Sequence, residues 1–520
     1  MAAERRYLNL NAYLRNSGYH EAAWRVSPAD PAGVLDPRHY IGLARTAERG
    51  VLDSIFLPDS PGVAEFRSEY LPGAGFDPLQ LLSSVAAVTE QVGLIATVST
   101  TYSYPWDVAR RLATLDFLSH GRAGWNIVTT VEPAAAGNFG DQPHPPTADR
   151  YDRAGEYVEV VLKLWDAWED DAAVMSRQAG RWADPARLHP PRHHGRHFDV
   201  ASYLPFPRSP QGHPFLTQAG SSPPGVALAA RYADAVFTPL AGIAAGVTFR
   251  RDLRAQAAGY GRDPGHVRVL PGLSFLIAGT DAEAAALKDE LEAAASSEFR
   301  WRNLANLAGL DYATIDPDAP FPPGVLASAP KTSFGAAIYQ MAAEEPGATF
   351  RAIAQKLSAL PGGLDFTGTP EGLAQLMTDW WDTGAADGFT IMPNVLPGQL
   401  AAFVDHVVPI LQKRGLARTE YAGTTLRDHA GLPRPAASLP AAAGAAVPGD
   451  PPCRVTMRAC AFSGSAPMSL PVPGAARSSR FRSTRTRRGG PSPGIRSAAR
   501  STAGRSAGRS RRAIADGSSS

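Results

Sequence analysis

The stretch Gln218–Gly225, QAGSSPPG, points at a ligand through its residue types. Gly220 permits close approach of the backbone, and Ser221 and Ser222 put two hydroxyls at the start of a helix, where free N–H groups favour a phosphate. Pro223 and Pro224 have no N–H, so the donors must come from Ser221, Ser222, Gly225 and the hydroxyls. On the same residues Ser222 can instead cap the helix, and both readings stay open. A second polar spot lies in Gly121–Thr130, GRAGWNIVTT. Trp125, Ile127 and Val128 belong to a buried strand, whereas the Asn126 amide must find partners or cost free energy. Asn11, Asp59, Ser60, Ser99–Thr101, Thr129 and Thr130 stand at comparable places, at the ends of short apolar runs. Together these residues offer hydrogen bonding and anion binding rather than nucleophilic attack. The body has no cysteine, since Cys453 and Cys460 both stand near the C-terminus. Within residues 1–435 neither GxSxG nor HExxH occurs, so common hydrolase and zinc-protease routes lack support there.

Other chemistry-bearing residues read more plainly. His193, His194 and His197 of PPRHHGRH sit in a Pro/Gly loop with no helical spacing and no neighbouring carboxylate, so a solvated loop is expected and no metal site. Asp166, Glu169, Asp170 and Asp171 close a helix and are read as solvated. His20 and Trp24 could line a pocket mouth, with a packed aromatic edge as the safer reading.

The elements that must position these residues alternate. Strands are expected at Tyr7–Tyr13, Asp53–Pro58, Val92–Ser99, Gly121–Thr130, Phe215–Ala219, Ala235–Pro239, Val269–Ala278 and Gly388–Pro393, each followed by a helix. Eight such pairs suit an α/β fold, a (β/α)8 TIM-like barrel, whose ligands sit at the carboxyl ends of the strands. A doubly wound open sheet shares the alternation, but no GxGxxG follows the first strand. Two segments break the rhythm: 170–214, rich in Pro, His and Arg and expected to hold a hairpin, and 297–369, with helices expected at Ser333–Ala343 and Thr349–Leu360. The second is the candidate lid, with Phe299, Trp301 and Phe321 as its apolar cover.

The chain of 520 residues is 44% apolar, ordinary for a globular protein, and its net charge of +2 hides a split. Residues 436–520 hold 14 Arg and no Lys against two Asp, so that part carries +12 and residues 1–435 carry −10. Two domains are therefore expected: 1–435 as the barrel and 436–520 as a disordered basic tail of Ala, Pro, Gly, Ser and Arg. The tail has few aromatic residues, so no specific nucleic-acid binding is expected. No apolar run approaches the ~18 residues of a membrane span, and the first residues do not form an export signal. A cytoplasmic location fits.

The motifs LNLNAYLRNSGYHEAAWR, AERGVLDSIFLPDS, ATVSTTYSYPWDVARRLATLDFLSHGRAGWNIVTT, RYDRAGEYVEVVLKLWDAWEDDA, QAGSSPPG and EYAGTTLRDHAGL occur in this order from about residue 7 to 434. Together they resemble the bacterial luciferase-like flavin monooxygenases of the nitrilotriacetate monooxygenase component A type. The resemblance implies a two-component enzyme that takes reduced FMN from a separate NAD(P)H:flavin reductase. Dioxygen then gives a flavin peroxide that oxygenates a small organic substrate. A homodimer or higher homo-oligomer is implied as well. Carried over residue by residue, Asp59, Thr97, Ser99 and Asn126 match positions beside the flavin. Tyr151 matches a residue near its phosphate, and Ala219, Gly220, Ser221 and Ser222 match the phosphate loop. No protein side chain is singled out as catalytic. Two positions depart from the pattern: Thr147 stands where the family often has His, and Pro58 where it tends to have Ala. Two other readings share this fold: a deazaflavin-dependent oxidoreductase, separable by its indifference to dioxygen, and a non-catalytic flavin-binding protein. The substrate is not read; a chelating acid would need arginines, and Arg25, Arg150 and Arg302 are available.

Overall fold

The computed structural model describes residues 6–28, 30–63, 65–73, 75–140, 143–308, 310–321, 342–356 and 363–438. Most of the expected helix Ser333–Ala343 and nearly all of the expected tail lie outside these residues. Among the described residues eight parallel strands close into a ring: β1 (Asn9–Tyr13), β2 (Ser54–Leu57), β3 (Gly93–Ser99), β4 (Ala123–Val128), β5 (Phe215–Ala219), β6 (Ala235–Thr238), β7 (Arg268–Ile277) and β8 (Gly388–Pro393). β8 pairs with both β1 and β7, and β7 pairs with β6, which shuts the barrel. All eight expected strands are present. A ninth, Leu364–Gly368, pairs with the carboxyl half of β7. It is not among the expected strands: LDFTG alternates, but it is short and falls inside the segment 297–369 that breaks the strand–helix rhythm.

Helices alternate with the strands for local reasons. Asp36 caps Pro37–Arg49 through the N–H of Arg38, and Asp77 caps Pro78–Ala86 through the N–H of Gln80, each with Pro in the first turn. On β4 the two-residue alternation sends Trp125 outward against Tyr157 and Trp165 of helix Thr147–Trp165, at ring distances of 5.9 and 6.5 Å. Asn126 consequently faces the barrel interior.

The interior is built in two parts. Phe56, Ile95, Phe215, Ala235 and Leu270 form an apolar plug that the C-terminal segment completes with Leu426, Ala430 and Leu432. A Cβ on Gly93 would lie 2.5 Å from Leu426, so glycine there lets the segment enter the barrel. Arg427 anchors the segment on Asp234 at 2.7 Å, and Arg418 is paired with Asp53. Toward the carboxyl ends the inward residues turn polar: Ile95 is followed by Thr97 and Ser99, Gly124 by Asn126, and Phe215 by Thr217.

Two readings from sequence need correction. The histidine loop is a hairpin, His193–His194 against Asp199–Val200, but it is not merely solvated. His193 is buried and bonds Glu156 at 3.1 Å, and His197 bonds Asp152 at 2.9 Å. Both carboxylates come from helix Thr147–Trp165, distant in sequence. Asp166 is likewise buried, accepting from His213 at 2.7 Å and pairing with Arg208 at 3.0 Å, while Asp170 pairs with Arg208 and Arg434. These acidic residues fasten the 170–214 insertion and the C-terminal segment to the barrel.

Candidate functional site

The loop Ala219–Ser222 joins β5 to helix Pro223–Tyr232. Ser222 is the N-cap residue but makes no side-chain capping bond, so the capping reading does not describe this structure. Tyr151, in the first turns of helix Thr147–Trp165, reaches the same loop. A Cβ on Gly225 would lie 2.9 Å from its hydroxyl, and one on Gly220 3.3 Å from it. The phenol therefore packs directly on the backbone of the two glycines, beside the helix start. Gln218 Oε1, buried next to it, has no hydrogen-bond partner among the described residues.

A polar belt crosses the neighbouring strands. Asn126 Nδ2 donates to Thr97 Oγ1 at 3.0 Å, and Thr217 Oγ1 donates to Asn126 Oδ1 over a long 3.4 Å. The three residues share one register across β3, β4 and β5. Ser99 Oγ accepts from Thr130 Oγ1 at 2.6 Å and from the N–H groups of Thr101 and Tyr102. Thr390 Oγ1, inside the ring on β8, is buried with no partner among the described residues. Asp59 is half-buried after β2, and burial, followed by the charge of Asp77, pushes its carboxyl above the usual range.

Thr147 accepts from Arg150 Nη2 at 3.0 Å, and Arg150 also donates to the carbonyls of Thr129 and Thr130. A histidine does stand nearby: His144 Nδ1 meets the Tyr102 hydroxyl at 2.6 Å. Burial, then the charge of Arg150, lowers its pKa. Sequence reasoning passed over both Tyr102 and His144. The signal for Tyr102 was its place in STTYS, directly after a strand end.

A cavity of about 180 Å3 opens on the same face, between the segments after β1 and β2 and helix Ser297–Leu307. None of the nine residues matched to flavin positions lines it. His20 and Trp24 do, which favours the pocket-mouth reading, and they are joined there by Arg15, Arg67 and Arg300. Arg25, Arg150 and Arg302 are engaged elsewhere, with the carbonyl of Ala294, the Thr129–Thr130 carbonyls, and Glu298 with Glu69. Of the expected lid residues, Phe299 lines the cavity. Trp301 and Phe321 instead build the insertion's own apolar cluster, with Phe321 stacked 4.4 Å from Phe350.

With eight strands in the ring, β1 and β5 lie across the mouth from each other. The contact of Tyr151 with the two glycines stands at β5, the polar belt between, and the cavity at β1 and β2. No helix among the described residues is long and apolar enough to cross a membrane.

Residues 19–385 match the family described as luciferase-like monooxygenase. The chain is 41% identical over 438 residues to N-acetyl-S-(2-succino)cysteine monooxygenase of Bacillus subtilis (strain 168), covering 84% of this chain and 99% of that one. It is 40% identical over 444 residues to nitrilotriacetate monooxygenase component A of Aminobacter aminovorans, covering 83% and 98%. Among solved structures, a riboflavin lyase with modified FMN and riboflavin superimposes with a TM-score of 0.73 at 30% identity, covering 82% and 96%.

Proposed function

Since this chain belongs to the luciferase-like monooxygenase family, we propose that it binds reduced FMN at the barrel mouth and oxygenates a small organic substrate in the adjoining cavity. The observation that carries the cofactor assignment is the close approach of the Tyr151 hydroxyl to the backbone of Gly220 and Gly225 at the start of helix Pro223–Tyr232. It gathers a helix start, two serines and a phenol where a phosphate is favoured, and only glycine lets the phenol come this close. The orphaned Gln218 and Thr390 oxygens fit a ligand that brings its own donors. A riboflavin lyase with modified FMN shares the barrel, which supports a flavin here.

When bound, reduced FMN supplies the electrons with which dioxygen is split between substrate and water. The protein's own part is to hold and to shield. Ser221, Ser222 and Tyr151 hold the phosphate, with Ala219 and Gly220 providing close backbone approach. Asn126, kept in one orientation by Thr97 and Thr217, presents its amide to the polar edge of the ring. Ser99 fixes the loop after β3, and Asp59 faces the mouth from β2. Hydroxyls and amides do this without adding charge to a site that must stay dry. Phe299 and the helix that carries it exclude water from above.

The designation component A of a relative 40% identical supports a separate NAD(P)H:flavin reductase as the supplier of reduced flavin. We place both in a reducing cytoplasm, with the oxygenase as a homodimer or larger homo-oligomer. The test is a fluorescence titration with FMN and with riboflavin, which lacks the phosphate, followed by a reductase-coupled oxygen-uptake assay. FMN is expected to bind at least about tenfold tighter than riboflavin, a difference of ~1.4 kcal/mol. Equal affinities would overturn the phosphate assignment, and product formation without dioxygen would overturn the oxygenase.

A further inference from the structure

Buried arginines in this protein are saturated as a rule. Arg122 donates to Ser119, Thr89, Val92 and Ala86, Arg208 and Arg427 meet carboxylates, and Arg268 caps the carbonyls of Ala430 and Gly431. Among the described arginines that are at least half-buried, Arg15 and Arg67 alone make no side-chain hydrogen bond or ion pair. Both line the cavity beside the barrel mouth. Arg300, the third guanidinium there, is already held by two carboxylates, Glu21 and Glu292, each at 2.5 Å. Burial, then the charge of Arg15, lowers the pKa of Arg67, and the attraction of Glu132 offsets only part of this. Two guanidinium groups withdrawn from water and set against each other cost free energy that an incoming anion recovers.

We infer, resting on the reading of this face as an oxygenase site, that the cavity takes a small organic acid with at least two carboxylates, held by Arg15 and Arg67. The planar guanidinium fork matches a carboxylate with two parallel hydrogen bonds. The remaining walls describe the rest of the molecule. Trp24, Phe299 and Leu304 offer apolar contact to a short carbon skeleton. Asn303 Oδ1, buried and without a partner among the described residues, accepts from an N–H or O–H on it. A skeleton of a few carbons beyond its acid groups suits the cavity of about 180 Å3.

Calorimetry on the full chain tests this with succinate, citrate, dimethyl succinate and inorganic phosphate, each with and without FMN. Succinate and citrate are expected to bind, dimethyl succinate to bind at least tenfold more weakly, and phosphate more weakly than succinate. Arg15→Met and Arg67→Met should each weaken succinate at least tenfold and leave FMN affinity unchanged. Neither arginine makes a side-chain hydrogen bond or ion pair among the described residues, so both variants should melt no lower than the parent. Equal binding of succinate and its ester overturns the inference on the parent protein alone, without recourse to any variant. Tighter binding of phosphate than of succinate overturns the carboxylate class. Succinate binding that depends on both arginines in a protein that fails to bind FMN upholds the inference and sinks the flavin reading, so the two failures are told apart.

Discussion

Asn126 shows how one residue serves the fold and the site at once. Its amide ties β3 to β5 through Thr97 and Thr217, and it points inward because Trp125, its neighbour, is claimed by the helices. Replacing it with alanine removes two buried hydrogen bonds, a cost of about 1–2 kcal/mol in stability. FMN affinity should fall by about a factor of ten if the amide also meets the ring. Fluorescence titration and thermal melting of Asn126→Ala separate the two effects: a lower melting temperature with unchanged affinity would reduce Asn126 to a structural tie. The type of this residue within an apolar strand was enough to mark it out. Its partners were not legible, because Thr97 and Thr217 lie 29 and 91 residues away and meet it only through strand register. Arg15 and Arg67 carried no signal at all in sequence. A lone arginine is ordinary, and what distinguishes these two is the lack of a side-chain hydrogen bond or ion pair among the described residues, which only coordinates reveal.

At the level of elements, the turn from β5 into helix Pro223–Tyr232 depends on what is missing from it. Gly225 stands in the first turn of the helix beside Tyr151, and an added methyl would stand 2.9 Å from the phenolic oxygen. The tyrosine end can shift, so Gly225→Ala should fold and melt close to the parent. It should weaken FMN more than riboflavin, since only FMN brings a phosphate to this turn. Comparing the two titrations on this variant checks it, and an equal loss for both flavins would place the phosphate elsewhere. Barrel strands were readable because each is a short apolar run followed by a helix with its own start signal. The strand Leu364–Gly368 was not, because its place is created by the edge that β7 offers. Asp166 and Asp170 were misread for a related reason: their cationic partners come from the insertion and from the far end of the chain.

Across the whole molecule, the barrel is closed at one end by residues 426–432, so its two ends answer to different chemistry. His429 lies in this plug, and burial, followed by the charge of Arg418, pushes its pKa down to about 4. In the unfolded chain the ring takes up a proton near pH ~6.5, whereas in the fold it stays neutral until about pH 4. Between these values the unfolded state binds more protons, so stability rises with pH there and is lost as pH falls through the window, by on the order of 3 kcal/mol. Melting curves of His429→Leu and the parent should therefore diverge in slope between about pH 4 and 6.5 and run parallel above it. Parallel curves throughout would mean the ring is not held neutral. From composition and periodicity alone came the eight-strand alternation, the acidic body with its basic end and the polar strand tips, because these depend on residue type and local spacing. The polar belt, the contact of Tyr151 with the two glycines, the plug and the two arginines that bond nothing among the described residues were decided by tertiary structure. Each is made of residues far apart in the chain, and whether a group is buried, partnered or left facing a cavity becomes a physical fact only once the ring has closed.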